Sequence, residues 1–516
     1  MPITVTVRSA LLALLICATL VISAAPARHA AAADEFRLFV FAGGNFDRLT
    51  SAAGCTSSPL AFWATDASGG FASFIPASTL SAVNANFEAR FPGRAIPANT
   101  PLIVRCGQAQ SVQSPPTQSS PPAQASLPTL PAAWPRTLQL GMTDAPGGAR
   151  ALRDTTQFGF RYQYLSAGAN TGSGWATWNP DGEFATNYIR ESIAAGVMPV
   201  FSYYQILQSS PGNQRGEPEG VYANLENRDT MGAYFRDLRL FMQRAAAFPQ
   251  TSVVLQVEPD MWGYIQQRAS NDDSRTVRVQ VGSAGLEEFA GLPDDASGLA
   301  QAVRRLRDRY APNVLLAYPI SIWGTNVDIV HSKPNDDGVH NVAERAAKFY
   351  QSLGTDFDIA FAEFSDRDAA FKQIQNGDNG INWWREDDFR RHALFLKDFV
   401  ARTNKRVVLW QIPLGNTRMR AMNNTWNHYQ DNRVEWLLDD PSRAHLNAYL
   451  EAGVVAFLFG RGADGATCAC DADDDGITNP SPINGNDRAS LNADDDGGFF
   501  RDRAAAYYRT GALVLP

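Results

Sequence analysis

Eight short apolar runs recur along the last three-quarters of the chain, each followed by a longer amphipathic stretch. The runs are Thr137 to Met142, Phe160 to Leu165, Met198 to Tyr204, Ser252 to Glu258, Asn313 to Pro319, Phe357 to Glu363, Arg406 to Ile412 and Val454 to Gly460. Helical periodicity marks Thr186 to Ala195, Thr230 to Ala247, Gly298 to Tyr310, Asn341 to Leu353, Asp387 to Thr403 and Phe499 to Thr510. Runs apolar on both faces are strands of a parallel sheet, and parallel strands need helical crossovers. A strand–helix pair repeated eight times predicts an α/β fold, a (β/α)₈ TIM-type barrel over residues 136–516. A doubly wound open sheet is the alternative. It would place a glycine-rich turn after the first strand, and Gly141-Met142-Thr143-Asp144 with Gly147-Gly148 matches no dinucleotide fingerprint.

The residues before the barrel divide into three. Residues 1–33 read as a secretory signal peptide: Arg8, an apolar region from Ala10 to Ile22, and the small residues Ala25-Pro26-Ala27. That region is shorter than a spanning helix needs, so a secreted or extracellular protein with no membrane span is expected. Residues 34–107 carry short strand-like pieces between turn residues and predict a small all-β module, either a spacer or a carbohydrate-binding module using Phe62, Trp63 and Phe71. Residues 108–135 are rich in Pro, Ser and Gln without hydrophobic periodicity, the composition of a disordered linker. In an oxidising compartment, Cys55 with Cys106 predicts a disulfide across the module, and Cys468 with Cys470 a tight local one. A net charge of -8 offers no basic stripe for nucleic acid. A monomer is expected.

A barrel assembles its site from the C-terminal ends of its strands, so those ends hold the candidate residues. In order they bring Asp144; Trp175 and Trp178 in the loop after the second strand; Tyr203, Tyr204 and Gln205; Glu258 and Asp260, with Trp262; Tyr318 and Trp323; Glu363 and Asp366; and Trp410 and Gln411. Carboxylates, amides and large aromatic rings gathered at one end suit a sugar-binding cleft. Strand alternation puts Gln256, Glu258 and Asp260 on one face. The chain has no HExxH, GxSxG or P-loop, so zincin, α/β-hydrolase and nucleotide chemistry lack their motifs.

From Thr137 onward the chain resembles the glycoside hydrolases built on (β/α)₈ barrels, and Glu258-Pro259 is similar to their acid/base position on the fourth strand. The resemblance implies hydrolysis of a polysaccharide or oligosaccharide, with Glu258 as general acid and Asp366 as base or nucleophile. Glu363 and Asp260 are the alternative partners. It departs from the largest barrel clan at the seventh strand, where Gln411 replaces a nucleophilic Glu; a non-catalytic carbohydrate-binding protein is the competing expectation. No cofactor is needed for such chemistry. Asp471, Asp473 and Asp475 sit at alternate positions of a calcium-type loop with Gly476 sixth, although Pro482 occupies the position of the bidentate Glu, and a structural calcium is expected there.

Overall fold

The computed structural model describes residues 35–53, 55, 59–65, 71–76, 81–106, 127–365, 367–417, 429–460 and 499–516. Contacts divide the chain into two units, Met1–Ala123 and Gln124–Pro516. The expected signal peptide, most of the linker, Asp366, and the acidic loop with Asp471, Asp473, Asp475, Cys468 and Cys470 lie outside the described residues.

In the first unit, β1 (Glu35–Phe41), β6 (Thr100–Cys106), β3 (Pro59–Thr65) and β4 (Phe71–Phe74) form an antiparallel sheet in that order, and β2 (Gly44–Asn45) pairs with β5 (Ala95–Ile96). Helices α1 (Phe46–Ala52) and α2 (Ser81–Arg90) pack with the sheet, so the module is not all-β as its sequence suggested. The helices escaped notice because they carry little apolar periodicity. In the described part of α2, Asn84 and Phe87 are the buried positions, and the Asn84 amide holds the backbone of Ile75 at 2.8 and 3.2 Å. Phe46, Phe62, Phe74 and Phe87 meet in the core, which is where a domain this small must spend its aromatic rings. The Cys55–Cys106 disulfide forms as expected, with Cα atoms 5.5 Å apart.

The second unit is a closed barrel of eight parallel strands in sequence order: β7 (Gln139–Thr143), β8 (Phe160–Leu165), β9 (Met198–Tyr203), β10 (Val253–Val257), β11 (Val314–Ile320), β12 (Ile359–Glu363), β13 (Val407–Pro413) and β14 (Val454–Gly460), which returns to β7. Around it run α3 (Ala149–Thr155), α4 (Glu183–Ala195), α5 (Glu219–Leu225), α6 (Arg228–Ala245), α7 (Met261–Arg268), α8 (Ala296–Tyr310), α9 (Asp336–Ser352), α10 (Ala369–Gln375), α11 (Glu386–Thr403), α12 (Arg433–Leu438), α13 (Ala444–Glu451) and α14 (Phe499–Arg509). Asn227, Asp295 and Asn335 start α6, α8 and α9 by accepting hydrogen bonds from first-turn amides. Inside the barrel, buried Ser202 donates to Gln256 Oε1 at 2.7 Å, so both polar side chains are satisfied. Among the described residues no helix is long and apolar enough to cross a membrane.

Two features complete the wall. Residues 127–135, which composition assigned to the linker, pack on the barrel: Leu127 and Leu130 lie against its core, and the buried Trp134 ring sits 4.9 Å from Phe160. At the strand N-termini α14 and the residues after it bind β7. The Tyr507 hydroxyl donates to Leu138 O at 2.8 Å, Leu140 N donates to the Tyr508 hydroxyl at 2.9 Å, and Leu138 N donates to Leu513 O at 2.7 Å. These bonds tie α14 and the residues after it to the amino end of β7.

Gly141 makes the junction of β14, β7 and β8 possible, because a Cβ there would lie 2.7 Å from Leu458 Cδ2, Phe160 Cβ and Phe160 O. Two of those atoms sit at or beside the main chain and cannot yield. Gly141→Ala is expected to destabilise the barrel by about 1–3 kcal/mol, the range for overpacking a well-filled core. Urea unfolding would measure it, and a wild-type midpoint would refute this account of closure.

Candidate active site

All eight strand ends border one cleft of about 860 Å³. Thr143 enters it from β7, Gln163 and Tyr164 from β8, Tyr204 from beyond β9, Asp260 from beyond β10, Trp323 from beyond β11, Glu363 from β12, Trp410 and Gln411 from β13, and Gly460 from β14. The sequence-expected residues Asp260, Glu363, Tyr204, Trp323, Trp410 and Gln411 are therefore brought together.

Tyr164 is the hub. A register shift between β13 and β14 interrupts pairing at Trp410 and Gln411, and Gln411 adopts φ +54°. There its Nε2 donates to the Tyr164 hydroxyl. Burial holds that hydroxyl protonated well above the usual phenol range, and the charges of Tyr162, Glu363 and Asp260 add to the effect. Of the acids that line the cleft, Asp260 and Glu363 thus lie near this hydroxyl. A second set of bonds ties the neighbouring wall: Tyr204 donates to Glu217 at 2.9 Å, Tyr264 donates to the other Glu217 oxygen, and the Tyr264 ring packs 4.8 Å from Trp323. Asp260 stands at the amino end of α7 without capping it, where the helix dipole favours a negative charge.

Glu258 does not face the cleft, contrary to the expectation from strand alternation. Strand β10 ends at Val257, and Glu258 then adopts φ +57°, the left-handed region, which ends the alternation. Its carboxylate is 1 % exposed and accepts from Gln205 N at 2.9 Å and from Ile206 N at 3.2 and 3.3 Å. It lies near Asp237 and Tyr234 of α6, while Asp260, two residues on, turns into the cleft.

Other expected ligand-binding residues pack elsewhere. Asp144 is buried against Arg161 at 2.8 Å, and that guanidinium also meets Glu191 at 3.1 Å and stacks over Tyr188. Trp175 and Tyr203 both donate at 2.6 Å to Asp237, in the layer between strand and helix. Trp262 and Tyr318 pack against each other and Phe357, with Trp262 donating to Val257 O. The Gln205 side chain is buried, and Trp178 is exposed outside the cleft against Phe184. An outward strand position and a lumen position look alike in composition, which is why rings and acids at strand ends were over-counted. Glu217, Tyr264, Asp328, His331, Arg367, Lys372 and Trp384 also line the cleft from loops and short helices, without a strand-end signal. His331 lies 3.0 Å from Asp328, whose carboxylate raises its pKa.

Burial pushes Glu258 up to about 8; the Gln205 and Ile206 amides oppose the shift, and Asp260 and Asp237 add to it. The native state therefore holds this proton more tightly than the unfolded chain. The stabilisation is fully present below about pH 4.5 and is lost as pH rises through about 8. Denaturant unfolding should show Glu258→Gln gaining on the wild type by a few kcal/mol, order of magnitude, between about pH 5 and 9. A pH-independent difference would mean that Glu258 carries no such shift.

Comparison with protein-family models finds no match, and comparison with curated proteins finds none either. Solved structures similar to this chain include glycoside hydrolases. One is the exo-β-1,4-mannosidase Op5Man5 from Opitutaceae bacterium strain TAV5, 13% identical, with 75% of this chain and 62% of that chain covered and a TM-score of 0.38. Another is a modular endo-β-1,4-mannanase from Cellulomonas fimi, 13% identical over 73% of this chain and 72% of that chain, TM-score 0.38. A Bacteroidetes-affiliated GH5 cellulase is 10% identical over 73% and 96%, TM-score 0.39. This chain spans less than two-thirds of the mannosidase's length. The closed barrel stands on its own strand pairing.

Proposed function

We propose that the barrel is a secreted glycoside hydrolase that cleaves a polysaccharide or oligosaccharide between the carboxylates of Asp260 and Glu363. The observation that carries this reading is that both acids line one cleft together with Tyr164, Trp323, Trp384 and Trp410. Glycosidic cleavage needs a proton for the leaving oxygen and a second carboxylate opposite it. Asp260, at the amino end of α7, suits the charged role, as the group that steadies positive charge at the anomeric carbon and takes a proton from the attacking water. Glu363, on β12 and in register with Trp410, delivers the proton. The Tyr164–Gln411 pair takes the place where the largest clan has a seventh-strand acid, and it orients substrate oxygens next to Asp260. The half-buried Trp323 ring offers a flat apolar face to a sugar ring, while Tyr204, Glu217 and Tyr264 present hydroxyl and carboxylate partners.

Reducing-end release from a panel of glucans, mannans and xylans tests the reading. Asp260→Asn and Glu363→Gln are each expected to lower kcat by at least about 10³-fold while retaining glycan binding in affinity electrophoresis. Binding by the wild type without release from any glycan would favour the carbohydrate-binding alternative. Full activity in either variant would remove that residue from the chemistry.

A further inference from the structure

Glu258 is a buried carboxylate that the proposed chemistry does not use, and its surroundings point to a different task. Its backbone N–H donates to Tyr203 O at 2.8 Å, and its side chain accepts the N–H groups of Gln205 and Ile206. One residue at the end of β10 thereby grips Tyr203, Gln205 and Ile206 of β9 and the loop after it. That loop presents Tyr204 to the cleft, and Tyr204 donates in turn to Glu217 further along it. The left-handed turn at Glu258 also sends Asp260 inward, so the same residue fixes the direction of a proposed catalytic group. We infer that Glu258 is a positioning residue, which from behind the barrel wall sets the Tyr204–Glu217 loop and Asp260 for the reaction proposed above.

The choice of a carboxylate is informative. Among the described residues no ion pair reaches Glu258, and the titratable groups around it are Asp237 and Tyr234 of α6, Tyr203 of β9, Tyr204 and Asp260. An apolar side chain would fill this space without burying an acid, but it would leave two buried amides without acceptors. The left-handed backbone is likewise unfavourable for a residue with a Cβ and persists only where neighbours fix it. Further along, Asn224 Nδ2 donates to Ile206 O at 2.5 Å and Ser209 O at 2.7 Å, and Asn170 and Thr230 hold Ser210. At the start of the loop, Glu258 is the side chain that accepts the Gln205 and Ile206 amides.

The inference rests on the proposed hydrolase for its kinetic arm and stands apart from it in its structural arm. Hydrogen exchange by mass spectrometry would be measured on the full chain for wild type, Glu258→Ala and Glu258→Gln. Exchange over residues 204–209 is expected to rise by about tenfold or more in the alanine variant while α8 and α9 keep their protection. The glutamine variant, which retains one carbonyl acceptor, should recover part of the difference, and it carries this arm if the alanine variant fails to fold. On a glycan that the wild type cleaves, kcat of Glu258→Ala should fall by about tenfold or more with a smaller change in glycan affinity. Wild-type exchange at 204–209 in both variants, or a rise spread evenly over the barrel, would overturn the inference. If the wild type cleaves no glycan, the hydrolase reading fails, and the exchange data still decide whether Glu258 sets the loop.

Discussion

The molecule depends on one closure, the pairing of β14 with β7. Ala456 to Phe459 meet Gln139 to Met142 in parallel register, and this converts an open sheet into a barrel without an edge. Gly141 allows the approach, and α14 reinforces it from outside through Tyr507 and Tyr508. Once closed, all eight strands end on the same side. That is why residues as distant in sequence as Thr143 and Gly460 border one cleft. The site is a consequence of the fold's geometry before any particular side chain is considered.

Within that geometry the acids fall into two layers. Asp144, Asp237 and Glu258 are buried between strands and helices, where each is met by hydrogen bonds or a guanidinium. Asp260, Glu217 and Glu363 face the cleft. Desolvation raises the proton affinity of the inner layer, with Asp144 and Asp237 near 6. Protonation behaviour is therefore shaped outside the cleft as well as in it, and the loops that carry cleft residues hang from the inner layer.

Much of the fold was legible because its signal is periodic. All eight barrel strands fall within two residues of the apolar runs, and the long helices follow the amphipathic stretches. Burial on both faces makes a barrel strand a continuous apolar word, which local sequence records well. The site was legible only in part, since it depends on side-chain direction. Asp260, Glu363, Trp323 and Gln411 were found because strand ends are where a barrel puts its chemistry. Glu258 was misplaced because a single left-handed φ reverses a side chain, and no composition rule announces that in a residue other than Gly, Asn or Asp. Glu217 was missed because long loops have no period and Tyr264 because it lies on a short helix past the strand end, and the bonds that Tyr204 and Tyr264 make to Glu217 exist only in three dimensions.

The C-terminal clasp bears on how the chain acquires its shape. Tyr507 and Leu138 are 369 positions apart, yet they share a hydrogen bond at the foot of β7. On a ribosome, β7, the first strand of the barrel, keeps its outer edge unpaired until β14 has been made. The intermediate strands and helices can assemble as a growing arc, but its two free edges stay exposed until β14 pairs with β7. The arc is thus the species open to misassociation, and the meeting of β14 with β7 ends it.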